Sequence, residues 1–327
     1  VLCGCDKTIP AAAMALARMN IPGLAMYGGS IAHGSLDGKA ITIQEVFEAV
    51  GAHGAGKLSD ADLLRVEKSA CPGAGACGGQ FTANTMAMVL TGLGLSPMDL
   101  NDIAATDPEK RKAAFYCGER VMQCLADDLK PRDVLTRDAF INAARMVAAT
   151  AGSTNAVLHL LAIAHDAGIE LGLEDFDQAA RDTPVIADLK PGGRYTAVEL
   201  TEAGGTALVA RELHAAGMLA DAPTVIGRSL FDEIARARPA ASGQQVVKPV
   251  SDALKPRGGY SILYGNIAPE GCVLKLAGHG RLHHEGPARV FDSEELAFAA
   301  VQSNQIQAGD VLVIRNEGPA GGPGMRE

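Results

Sequence analysis

The sequence predicts an α/β fold followed by a smaller β-rich region. Its opening has a short apolar run, a turn at Gly4, an Ala-rich segment that starts at Pro10, and a second apolar run at 21–27. This order is typical of a β-α-β unit with a parallel, buried sheet. A linker rich in Pro, Ala, Ser and Gln at 238–256 precedes short strands with tight turns, a pattern typical of a β-barrel or small β-rich domain. We therefore expect an N-terminal three-layer α/β domain at 1–250, with a parallel sheet flanked by helices. The first part of a β-barrel domain is expected at 251–327.

The individual elements follow from apolar periodicity and from capping residues. Helices are predicted at 11–19, 43–50, 59–70, 82–93, 108–128, 137–149, 155–167, 175–180, 196–202, 206–216 and 293–301. Strands are predicted at 224–226, 260–264, 272–277, 288–291 and 311–315.

Composition limits the classes of function. The 327 residues are 47% hydrophobic and 20% charged, and the net charge is −9 with dispersed basic residues. These values predict a globular protein that acts on small molecules and binds neither nucleic acid nor a membrane. We expect it to be cytoplasmic, because the sequence shows no apolar run of the ~20 residues that a membrane span needs and no signal-peptide pattern. Seven cysteines, an odd count, argue against a disulfide framework. Because the chain starts within a strand and stops in a Gly/Pro loop, we expect an internal fragment.

The turn at the start of the first helix combines three reactive groups. Cys5, Asp6 and Lys7 lie between the first strand and the first helix, where open α/β sheets place ligand sites. A thiolate, a carboxylate and an amine could hold two unlike metals close together. The alternative is a buried structural cysteine beside an exposed Asp/Lys pair.

A glycine-rich loop at 71–79 carries the second candidate ligand, Cys77. Small residues around Cys77 leave backbone N–H groups accessible to a bulky inorganic group. The following helix should favour a thiolate at Cys77, as at Cys5. Two cysteines in glycine-containing turns favour a cluster held between loops, although a tight turn with buried thiols remains the alternative. Cys117 and Cys124 are expected to be core thiols.

Several motifs together resemble the dihydroxy-acid/6-phosphogluconate/sugar-acid dehydratase family over the whole chain. They are Gly4-Cys5-Asp6-Lys7-Thr8, residues 70–79, Phe81-Thr82-Ala83-Asn84-Thr85-Met86, Gly152-Ser153-Thr154-Asn155-Ala156-Val157-Leu158-His159, residues 286–291 and residues 317–327.

The resemblance implies a partial active site. Cys5 and Cys77 would bind an Fe-S cluster, with a 2Fe-2S form expected and a 4Fe-4S form left open; a third cysteine would lie upstream of Val1. Asp6, Lys7 as a carbamate, and Glu327 would bind Mg²⁺, together with an upstream acidic residue. The general-base serine would follow Glu327, so this fragment alone should be inactive.

The resemblance also implies the reaction. The enzyme would be a hydro-lyase that converts 2,3-dihydroxy-3-methylbutanoate and its 3-methylpentanoate homologue to 2-keto acids in valine and isoleucine biosynthesis. It would do so as a homodimer, with the cluster as Lewis acid. The loop at 71–79 resembles the branched-chain members more than the sugar-acid and phosphogluconate members, which stay the alternative. The alternative from another functional class is a sensor or binding protein that carries a cluster. Such a protein would need the cysteines but not the magnesium ligands Asp6, Lys7 and Glu327.

The chain departs from the family pattern at two places. Ala74 replaces a further cysteine that some members have, which leaves Cys71 a bystander. Ala151 replaces the first of two glycines, a change that we expect to be tolerated.

Overall fold

The computed structural model describes residues 1–276 and 282–318. These residues form two compact units. The first comprises 1–43 and 69–276, and the second comprises 44–68 and 282–318. The prediction of an α/β fold is confirmed, since helices and small two-stranded sheets alternate along the described chain. The predicted boundary near residue 250, the three-layer arrangement and the β-barrel stay predictions.

The elements are numbered in chain order. They are β1 (Leu2–Cys3), α1 (Thr8–Met19), β2 (Met26–Tyr27), β3 (Gly34–Leu36), β4 (Lys39–Ile41), α2 (Ile43–Gly54), α3 (Asp60–Ala70), α4 (Thr82–Gly92), α5 (Glu109–Ala126), α6 (Pro131–Val134), α7 (Arg137–Ala149), α8 (Asn155–Ala167), α9 (Leu173–Asp182), α10 (Ala197–Ala203), α11 (Gly205–Ala215), α12 (Leu230–Arg236), β5 (Tyr260–Gly265), β6 (Ala268–Lys275), β7 (Ala288–Phe291), α13 (Glu294–Gln302) and β8 (Val311–Ile314).

The opening of the chain is the predicted β-α-β unit. Strands β1 and β2 pair in parallel, with Leu2 opposite Met26 and Cys3 opposite Tyr27, and α1 connects them. A parallel pair requires such a crossover, because a tight turn can join only antiparallel strands. This arrangement places the turn at residues 4–7 at the carboxyl end of β1.

Helix α4 is the centre of the first unit. Its residues from Ala83 to Gly92 are all buried, and it packs against α1, α7 and α8. A helix that is apolar on every side is stable only when it is enclosed by other elements. Burial of a side chain such as Leu90 contributes about 1.5–3 kcal/mol. The N-terminus of α4, which directly follows the loop that carries Cys77, is therefore held in a fixed position.

Some sequence predictions were wrong. Residues 224–226 form a turn instead of a strand, in which the Thr224 N–H and hydroxyl both donate to the Arg228 carbonyl, at 2.9 and 3.1 Å. Helix α12, which begins after the capping residue Ser229, was not predicted. The β3–β4 hairpin was also missed, although its Asp37-Gly38 turn is a strong hairpin signal.

The second unit contains α2, α3, the parallel pair β7–β8 and α13. The predicted capping of α3 is confirmed: the Asp62 N–H donates to Ser59 Oγ at 3.2 Å, and the Ser59 hydroxyl donates to the Asp62 carboxylate at 2.7 Å. Across residues 1–276 and 282–318, none of the helices has the length and apolarity that a bilayer crossing needs.

Ala151 has a left-handed backbone conformation, with φ of 46°. A side chain at this φ is strained because its Cβ approaches the following carbonyl oxygen. Gly259 packs directly against it, since a Cβ built on Gly259 would lie 2.5 Å from Ala151 Cβ. The chain thus accommodates alanine where the family pattern has glycine, but at an energetic cost.

We expect Ala151→Gly to raise the free energy of unfolding by about 1 kcal/mol, because relief of left-handed strain exceeds the entropy that glycine adds to the unfolded chain. Urea unfolding would measure it. Ala114→Gly, at an exposed position inside α5, is the control and should destabilise by about 1 kcal/mol. Equal losses in both variants would contradict the assignment of strain to Ala151.

Candidate active site

The turn between β1 and α1 is held by the side chain at the start of the helix. The Thr8 hydroxyl accepts hydrogen bonds from the N–H groups of Gly4 and Cys5, at 3.3 and 2.9 Å, and donates to the Cys5 carbonyl at 3.0 Å. Side-chain hydrogen bonds of this kind fix turns before helices. The predicted strand-to-helix turn is confirmed, and the Thr8 hydroxyl holds the backbone around Cys5.

The side chains of this turn have different environments. Asp6 is buried, at 8% exposure, whereas Cys5 is exposed. Lys7 is half-buried and forms an ion pair with the Asp6 carboxylate. The alternative of a buried cysteine beside an exposed Asp/Lys pair is therefore wrong. A Cβ built on Gly4 would meet nothing within 4 Å, so the backbone beside Cys5 faces open space.

The loop that carries Cys77 is anchored to the chain that follows β2. Ala76 pairs with Ser30, and the Ala76 N–H donates to the Gly29 carbonyl at 3.0 Å. Gly75 has φ of +143°, and a Cβ there would lie 2.4 Å from the Ile31 nitrogen. Only glycine fits this close approach of two backbones. The glycines of the loop thus have a defined structural role beside Cys77.

A buried carboxamide closes the Cys77 loop. Asn84, in the first turn of α4, donates from Nδ2 to the carbonyls of Cys77 and Gly79, at 2.8 and 2.7 Å, and lies 3.5 Å from Cys77 Sγ. Its Oδ1 accepts a hydrogen bond from the Tyr27 hydroxyl at 2.9 Å. One side chain therefore links β2, α4 and the candidate ligand.

The thiol of Cys77 is less acidic than its place before a helix predicts. Burial raises the pKa of Cys77 to about 11, although backbone N–H groups of Ala83 and Asn84 lower it. Desolvation disfavours the charged form, and here it outweighs the helix N-terminus. The predicted effect of the helix is present at Cys77, but burial outweighs it, so the expectation of a favoured thiolate is not met.

Cys5 lies within the range over which its charge acts on the Cys77 thiol. The charge of Cys5 contributes to raising the pKa of Cys77. Tyr27 lies near both: burial raises its pKa, and the charges of Cys77, Cys5 and Cys3 raise it further. Two thiols far apart in sequence thus lie in one region of the fold, and their role as a ligand pair stays a prediction.

Helix α8 also borders the region that contains the turn of Cys5 and the loop of Cys77. Ser153 and Asn155 both contact Thr82, through hydrogen bonds of 2.8 and 3.1 Å, so the N-termini of α4 and α8 are tied together. Burial lowers the pKa of His159; the Lys7 ammonium lowers it further and the Asp6 carboxylate raises it. His159 is therefore near the turn at residues 5–7 and is neutral at pH 7.

Among the other cysteines, three are buried and two are exposed. Cys117 and Cys124 are buried, as predicted, and Cys71 is exposed. Glu327, the predicted third magnesium ligand, lies outside the described residues. No group of three metal-ligating side chains occurs within the parts of the chain that the structure describes.

Two thiols in one region, one of them beside the open backbone of Gly4, fit an iron–sulfur cluster bound partly by other residues. Asp6 fits a magnesium ligand, but the Lys7 ammonium would repel the ion and fits only as an anionic derivative.

Sequence reasoning from single residues missed Tyr27, Asn84 and His159 as parts of this region. Asn84 and His159 lie in the motifs that carried the family resemblance, but their roles depend on contacts across the fold. A polar residue such as Asn84 inside an otherwise apolar helix was the signal available, because buried polar groups need partners.

Comparison with known proteins gives a consistent family match. Residues 1–233 match the sequence model described as dihydroxy-acid/6-phosphogluconate dehydratase N-terminal, and residues 245–327 match the corresponding C-terminal model. Curated relatives named dihydroxy-acid dehydratase are 56% identical in Koribacter versatilis, 57% in Thermus thermophilus and 54% in a Roseiflexus species. Each match covers 100% of this chain but only 57%, 59% and 58%, respectively, of the relative.

We expect Asn84→Ala to lower the free energy of unfolding by about 2–3 kcal/mol, because buried carbonyls and a hydroxyl lose their partner. The variant should also speed alkylation of Cys77 by iodoacetamide, followed by peptide mass spectrometry. Asn142→Ala is the matched control, since Asn142 is also buried and bonds the Ala220 backbone away from the cysteines. It should lose similar stability without changing Cys77 alkylation; equal acceleration in both variants would contradict a local role for Asn84.

Proposed function

The chain belongs to the dihydroxy-acid/6-phosphogluconate dehydratase family, and on this premise we propose that its protein is a hydro-lyase of branched-chain amino-acid biosynthesis. The proposed substrates are 2,3-dihydroxy-3-methylbutanoate and its 3-methylpentanoate homologue, which lose water to give 2-keto acids. Because the chain spans less than three fifths of the length of the relatives given above, the proposal concerns the whole protein.

The observation that supports the proposal is the proximity of Cys5 and Cys77 beside Asp6 and Lys7. We propose that Cys5 and Cys77 bind an Fe-S cluster, of 2Fe-2S or 4Fe-4S type. Asp6, Lys7 as its carbamate, and Glu327 would bind Mg²⁺. When bound, these groups would supply Lewis acids that stabilise the departing hydroxyl and hold the substrate carboxylate.

The residues of this chain have distinct tasks in that proposal. Thr8 fixes the turn so that the side chains of residues 5–7 stay together, and Asn84 fixes the loop of Cys77. Burial of Asp6 excludes water from one side of its carboxylate, which strengthens its attraction to a cation. The general base would be a serine beyond Glu327.

We also propose the domain architecture, the localisation and the oligomeric state of the whole protein. The β1–β2 pair would belong to a larger three-layer domain, and residues 251–327 would begin a β-barrel domain; the separate C-terminal family match at 245–327 supports a second region. The protein would be cytoplasmic and homodimeric.

The first test is keto-acid formation by the full-length protein, reconstituted anaerobically with iron, sulfide and Mg²⁺. We expect turnover of 2,3-dihydroxy-3-methylbutanoate to exceed turnover of a sugar acid at equal concentration. Turnover of only the sugar acid would contradict the assigned substrate and favour the sugar-acid or phosphogluconate members of the family.

Cys77→Ser should abolish the visible absorbance of the reconstituted cluster, because a serine hydroxyl is a poor ligand for iron in such clusters. Cys71→Ser is the control, since Cys71 is an exposed thiol six residues away in the same loop. An intact visible spectrum in the Cys77→Ser protein would contradict the ligand assignment.

A further inference from the structure

His159 presents a buried nitrogen that lacks a partner. Its Nε2 atom is shielded from solvent and makes no hydrogen bond to any residue that the structure describes. Buried polar atoms of native proteins nearly always have a partner, and each exception asks for an explanation. A hydrogen-bonding group that the unmodified chain does not contain would explain why Nε2 has no partner.

The surroundings of His159 indicate which group this is. His159 lies one turn beyond Asn155 on α8, and α8 packs against α1, whose N-cap is Lys7. The charges of Lys7 and Asp6 both act on His159. Asn155 in turn bonds Thr82 at the start of α4, which fixes this end of α8. The unpartnered nitrogen is thus held near the Lys7 side chain by three helices.

We infer that His159 is a positioning residue whose Nε2–H donates a hydrogen bond to a carbamate oxygen of Lys7. The inference rests on the proposed function, which makes Lys7 a carbamate. Neutral imidazole can carry its proton on Nε2 and so can act as this donor.

The chemistry of carbamate formation explains why a donor is needed. The lone pair of the neutral Lys7 amine attacks the carbon of CO₂; an N–C bond forms, one C=O electron pair moves to oxygen, and the nitrogen releases a proton to solvent. The product places a negative charge beside the Asp6 carboxylate. A neutral hydrogen-bond donor satisfies one carbamate oxygen without competing with Mg²⁺ for the site, as a second cation would.

The test is ¹³C NMR of the full-length protein during titration with ¹³C-bicarbonate at fixed Mg²⁺. Wild-type protein should show a carbamate signal that Lys7→Arg removes. His159→Leu should raise the bicarbonate concentration for half-occupancy by about tenfold or more, since hydrogen bonds to charged groups are strong. His159→Gln, whose amide can donate, should stay within about threefold of wild type.

Two controls separate positioning from stability. His165→Leu changes an exposed histidine on the same helix and should leave half-occupancy unchanged. If His159→Leu does not fold, His159→Glu replaces it: glutamate has the shape of glutamine but only accepts hydrogen bonds when ionised, so it should lose the signal.

The outcomes distinguish this inference from the proposed function. Wild-type occupancy in His159→Leu, or in His159→Glu where the leucine variant does not fold, would overturn the role of His159 and leave the carbamate intact. Absence of any signal that depends on Lys7 would overturn the carbamate itself, and the role of His159 with it.

Discussion

The burial of α4 is the constraint on which the candidate site depends. Every residue from Ala83 to Gly92 is enclosed, so the polar groups near the helix start must find partners inside the protein. Asn84 meets this requirement by bonding Tyr27 and the carbonyls of Cys77 and Gly79. Because one carboxamide serves both the core and the loop, Cys77 is positioned by the core helix.

Burial positions Cys77, but it also makes the Cys77 thiol less acidic. Loss of solvation raises the pKa of its thiol to about 11, beyond what the N–H groups of α4 offset. A thiol with so high a pKa is protonated at neutral pH and is a poor nucleophile. A metal ion can reverse this state, because it deprotonates a coordinating thiol outright. The environment of Cys77 thus suits a ligand better than a reactive cysteine.

The local features of the site could be predicted from sequence, and its long-range contacts could not. The turn at Cys5 and the start of α4 follow from capping and apolar periodicity, which act over a few residues. The bond between Tyr27 and Asn84 joins residues 57 apart, and no local pattern encodes it. The acidity of Cys77 was mispredicted for the same reason, since desolvation depends on the folded surroundings. The family resemblance supplied the ligand roles that spacing alone left open.

In the proposed site, charge balance at the turn would link carbamate formation to metal binding. In the described chain the Lys7 ammonium forms an ion pair with the Asp6 carboxylate, which weakens the attraction of that carboxylate for a divalent cation. Carbamate formation would place two negative charges side by side, and their repulsion would disfavour that state without a cation. Mg²⁺ would therefore stabilise the carbamate, and the carbamate would increase the affinity for Mg²⁺ by the same factor, because linkage between two binding events is reciprocal. A neutral donor at His159 would be compatible with both events, whereas a charged side chain there would favour one at the expense of the other.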